Sequence, residues 1–153
     1  MDMKLAEALQ ERADLNRKIA QLRQRIAKNV LVQEGELPAE DVEQLTGELN
    51  GALGRLAWII TRINLTNAAV VVNEKTLTEW IAEKDVLTLK ISAYKDATDA
   101  AGNIYYRARG SEIKILSTIS VRDWQKEIDR MSAELRKVDN LLQETNWNTD
   151  LIE

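Results

Sequence analysis

Neither cysteine nor histidine occurs among the 153 residues of this chain. Without cysteine there is no disulfide, no thiolate nucleophile and no sulfur ligand for zinc. Without histidine the usual general base at neutral pH is missing, and so is any histidine pH switch. Phenylalanine is also absent, and one proline and six glycines favour helices over a strand-rich sandwich. No stretch approaches the roughly 18 apolar residues of a membrane-spanning helix, and the apolar patch at 68–72 is far too short. Residues 1–10 carry Asp2, Lys4 and Glu7 where a secretory signal would be apolar. A cytoplasmic protein without membrane contact is the expectation. The net charge of −4 supplies no global pull towards nucleic acid or anionic lipid.

What is present is periodicity. Charged residues make up 30% and apolar ones 44%, an ordinary globular balance, and the length suits one domain over 1–153. From 42 to 67, Val42, Leu45, Leu49, Ala52, Leu56, Ile59 and Ile63 recur at alternating spacings of three and four. That is the seam of a helix that lies against other helices. Similar seams run through 3–30 (Leu5, Ala8, Arg12, Leu15, Ile19, Leu22, Ile26), 77–101 (Leu77, Trp80, Lys84, Leu87, Ile91, Tyr94) and 121–146 (Val121, Trp124, Ile128, Met131, Leu135, Val138, Leu142). The chain therefore reads as all-α, an antiparallel four-helix bundle with long coiled-coil-like helices. Val70–Val72 and the alternating Ile113, Ile115, Ser117 and Ile119 suggest a small two-stranded β-ribbon at one end.

Local signals place the helix ends. Thr76-Leu77-Thr78-Glu79 matches a capping box and opens the third helix. The first helix is basic, and no Lys or Arg lies between Lys28 and Arg55, where six acids stand. Basic residues late in the first helix should therefore face acids early in the second. Gly47, Gly51 and Gly54 sit inside the second helix. Each costs up to about 1 kcal/mol relative to alanine, which suggests a close backbone approach or a local bend.

Three groups of residues are candidates for a site. Arg12 and Lys84 are cations on apolar seams; they either snorkel and pair to set helix register, or hold a buried ion pair or anion. Asn64 and Asn67 share a helix face near the end of the second helix, and Asn146 and Trp147 end the fourth. In an up-down bundle these four meet at one end as a polar pocket. Tyr105, Tyr106, Arg107 and Arg109 form a loop able to stack on and grip nucleic acid or phosphate. No catalytic constellation emerges: the four seams contain no acid, and there is no Gly-rich phosphate loop, Gly-x-Ser-x-Gly or Ser-x-x-Lys. No metal or cofactor is expected.

The stretches Met3-Lys4-Leu5-Ala6-Glu7-Ala8-Leu9 with Arg12-Ala13-Asp14-Leu15, Val32-Gln33-Glu34-Gly35-Glu36, Arg62-Ile63-Asn64-Leu65-Thr66-Asn67-Ala68-Ala69, Ser111-Glu112-Ile113-Lys114 and Glu144-Thr145-Asn146-Trp147 form a recurring combination. Together they resemble a family of small bacterial helical proteins of unknown function, some of them labelled septicolysin. The resemblance implies a mostly helical fold, and the label implies a cytolysin. Trp58, Ile60, Trp80 and Trp124 exceed what narrow seams need, which points to a homo-oligomer. The leading functional expectation is a non-enzymatic interaction or scaffold protein acting through oligomerisation. A membrane-active septicolysin-like toxin and a nucleic-acid binder using the Tyr105–Arg109 loop are the alternatives.

Overall fold

The computed structural model describes residues 2–103 and 113–153. It is all-α, with α1 (Leu5–Asn29), α2 (Val42–Ala69), α3 (Leu77–Gly102), α4 (Val121–Asn148) and one two-stranded antiparallel hairpin, β1 (Val71–Val72) and β2 (Lys75–Thr76). The chain divides into two compact units, Met1–Val71 with Thr145–Glu153, and Val72–Glu144.

In the first unit α1 and α2 pair through the seams their spacing defines. Leu5, Ala8 and Leu22 of α1 and Leu45, Ala52, Ile59 and Ile63 of α2 are buried. At the end of the pair where the chain connects α1 to α2, the Arg25 guanidinium donates to the Glu40 carboxylate, and the Glu40 backbone N–H donates to Asn29 Oδ1 at 3.1 Å. The basic-to-acidic facing expected of this pair is thus present. Farther along, Arg55 grips Glu11 with two bonds of 2.9 and 3.0 Å. Asp41 caps α2 by accepting from Glu43 N at 3.0 Å. A Cβ at any of the three glycines of α2 would meet no atom within 4 Å from beyond the helix's own turns, so among the described residues no other backbone approaches them closely.

This unit also contains a contact that periodicity does not announce. Residues after α4 lie along the start of α1: Leu5 N donates to Thr149 O at 2.8 Å and Leu151 N to Met3 O at 2.7 Å. Lys4 Nζ reaches Asp150 at 2.6 Å. Ile152 N donates to Oγ1 of the fully buried Thr66 at 2.9 Å, and the Leu151 side chain is buried.

In the second unit α3 and α4 meet around Ile91, Ile128 and Met131, with Leu87, Tyr94 and Leu135 packed against them. The Tyr94 and Trp124 rings lie 4.6 Å apart. Thr76 and Glu79 exchange both bonds of a capping box at 3.2 Å, and Ser120 Oγ accepts from Asp123 N at the start of α4.

The β-ribbon differs from the expected pairing. β1 pairs with β2 across Asn73 and Glu74, both at positive φ (49° and 71°), and Ile113–Ile119 forms no strand. A two-residue connection with both central residues left-handed is the geometry that hairpin twist selects, so the near partner wins over the distant one. Among the described residues no helix is long and apolar enough to cross a membrane.

Candidate functional site

The site follows from α3 having two apolar faces. One is the seam of Leu77, Trp80, Leu87, Ile91 and Tyr94. The other recurs at Ala82, Val86, Leu89 and Ala93 on the far side of the helix, and there Val86 is 64% and Leu89 70% exposed. A helix apolar on opposite sides is built to be covered on both. Beside this face runs a groove of about 670 Å³, floored by Trp80, Val86, Leu87 and Val138. Trp80 is fixed by its Nε1–H donating to Val72 O at 2.8 Å and by Lys75 Nζ 4.8 Å above its ring.

Charges rim the groove: Lys75, Glu83, Lys90, Glu134 and Lys137. Lys75 pairs with Glu83, and Glu134 accepts from Arg130 at 3.3 Å. Lys90 and Lys137 form no salt bridge among the described residues, so the rim is left cationic. A second apolar feature lies in the first unit, on the connection between α1 and α2. Leu31 and Leu37 there are 86% and 92% exposed, beside Glu34 and Glu36 and a left-handed Gly35 (φ 87°).

The sequence-derived candidates divide as follows. Lys84 donates to Asp139 across the α3–α4 pair at 2.6 Å, and both side chains remain more than a third exposed. Arg12 is half-buried and forms no salt bridge among the described residues. Asn64, Asn67, Asn146 and Trp147 belong to the same unit, but no hydrogen bond joins any two of them. Trp147 is half exposed, and α4 runs on to Asn148, so Asn146 lies inside the helix and does not cap it. Tyr105, Tyr106, Arg107 and Arg109 lie outside the described residues.

The tryptophans expected to carry surplus surface are mostly engaged within the chain. Trp58 lies under both Arg55, 4.5 Å from the ring, and Arg62, at 5.5 Å. Arg62 Nε is buried without a hydrogen-bond partner. Sequence reasoning missed the groove and the tail contact at Thr66. The one available signal was that Ala82, Val86, Leu89 and Ala93 form a second apolar stripe on the side of α3 away from its seam. Glu40 and Glu127 have carboxyl groups held below the ordinary range, each chiefly by a hydrogen bond from an arginine, Arg25 and Arg130 respectively. Both pairs sit in solvent and read as surface pairing. Among the described residues no cluster of three or more acidic side chains is placed to hold a metal ion.

No curated protein matches the chain. A crystal structure described as a functionally unknown conserved protein from Corynebacterium diphtheriae is similar over 99% of this chain and 100% of that one, at 33% identity and a TM-score of 0.93. The family model that matches, over residues 12–151, is described as a family of unknown function, DUF6847. Neither description carries the septicolysin label. With nearly the whole length matched, the chain belongs to the DUF6847 family.

Proposed function

We propose that this is a non-enzymatic interaction protein, a scaffold that works through self-association of its helices. One observation carries the reading: α3 presents a second apolar face, with Val86 and Leu89 in solvent, although its first face already meets α4. Fully burying a side chain of that kind yields about 1.5–3 kcal/mol. Surface of this kind gathered in one stripe marks an interaction site more often than stray exposure. The lack of histidine and cysteine and the absence of an acidic cluster among the described residues accord with a binding role.

The experiment is molar mass by light scattering across a dilution series. The expected result is a multiple of the 17.4 kDa chain mass that falls towards that mass on dilution. A strict monomer at high micromolar concentration refutes the proposal. Replacing Leu89 by Glu should shift the series towards monomer while leaving helix content unchanged.

A further inference from the structure

We infer that the α3–α4 groove receives the α1–α2 connection of a second copy of this chain. The inference rests on the self-association reading above and assigns the contact. Two features of the molecule are each unexplained alone and complementary together. The groove has an apolar floor of Trp80, Val86, Leu87 and Val138 and a rim on which two cations, Lys90 and Lys137, form no salt bridge among the described residues, Lys90 Nζ lying 5.8 Å from the Tyr94 ring. The connection carries Leu31 and Leu37, the most exposed large apolar side chains described. It also carries Glu34 and Glu36, which form no salt bridge among the described residues. Glu40, the next acid, is already held by Arg25.

An apolar knob with two carboxylates outside any salt bridge among the described residues therefore meets an apolar slot with two ammonium groups in the same state. Docking removes both leucines from water and places opposite charges at the rim, where they fix orientation more than they add affinity. The connection suits this role locally. Gly35 in the left-handed region and Pro38 hold a tight turn, and Glu36 N closes it on Gln33 O at 3.0 Å, so the knob is partly ordered before it binds. The contact joins two different surfaces. It closes as a two-fold pair if the exchange is reciprocal, and extends head to tail if it is not.

The test uses the full chain and two charge-reversed proteins, Glu34→Lys with Glu36→Lys, and Lys90→Glu with Lys137→Glu. Each alone should weaken self-association by roughly tenfold or more, since two attractive rim pairs become repulsive. Mixing the two restores association, because each reversed loop then meets a reversed groove. Leu31→Ser with Leu37→Ser should abolish association with wild-type helix content by circular dichroism, both sites being solvent-exposed. If the wild type is monomeric, this contact and the scaffold reading fall together. If the wild type associates and the reversals or the serines leave its dissociation constant unchanged, this contact alone is overturned. Weakening by each reversal without restoration on mixing overturns it as well, since the charges then act somewhere other than on each other.

Discussion

Thr66 offers a direct test of how the end of the chain is held. Its side chain is fully buried, donates to Arg62 O at 2.8 Å and accepts from Ile152 N at 2.9 Å. Replacement by valine keeps the shape and the β-branching and removes only the hydroxyl. Arg62 O loses little, because a helical carbonyl retains its backbone partner. The Ile152 N–H loses its acceptor in a half-buried place, and an unmade bond of that kind costs about 1–2 kcal/mol. Thr66→Ser keeps the hydroxyl and loses one buried methyl, worth about 0.8 kcal/mol. The two variants therefore fail for different reasons. Urea unfolding measures the total, and amide exchange at Leu151 and Ile152 locates it. Valine should speed exchange at both amides well before global opening, whereas serine should leave that exchange near wild type. Wild-type exchange in the valine variant, with stability within about 0.3 kcal/mol of wild type, would refute the assignment of Thr66 as the anchor of the tail.

Two further predictions concern single positions. Glu74 sits at φ 71° in the turn between β1 and β2, where a side chain costs about 1 kcal/mol and glycine is at ease. Glu74→Gly should therefore raise the urea midpoint, and a lowered midpoint would show that the carboxylate contributes something the backbone does not reveal. Arg25 holds the Glu40 carboxyl below its usual 4.5. A depressed folded-state value gives stability that is present above the unfolded value and is lost as pH falls through the folded one. The stability difference between wild type and Glu40→Gln should thus be steady at neutral pH and shrink as pH drops below about 4.5, and a difference that grows on acidification would contradict the pairing.

The helices were legible because burial along each repeats at alternating spacings of three and four, a property of local geometry that needs no knowledge of neighbours. Leu45, Ala52, Ile59 and Ile63 are buried where the α2 seam places them, and Thr76 with Glu79 forms the capping box its spacing implies. The facing of basic α1 and acidic α2 was equally readable, and Arg25 with Glu40 realises it. The ribbon is legible only in part: a strand stands at Val71–Val72, but it pairs across the two-residue turn at Asn73 and Glu74 and not with the alternating stretch forty residues on. That turn requires positive φ at residues other than glycine, which composition does not signal.

By itself, then, the sequence determined an all-α chain of four amphipathic helices with no histidine or cysteine chemistry, because side-chain periodicity and residue inventory are local properties. Tertiary structure decided which faces stay open. Nothing in the sequence says that Val86 and Leu89 on the second α3 stripe, or Leu31 and Leu37 on the α1–α2 connection, stay exposed. Whether such a residue meets a neighbour depends on how many helices a unit contains, and among the described residues α3 pairs with α4 alone in its unit. The same holds for Thr66 and Ile152, eighty-six positions apart, joined by a hydrogen bond that no short-range pattern encodes.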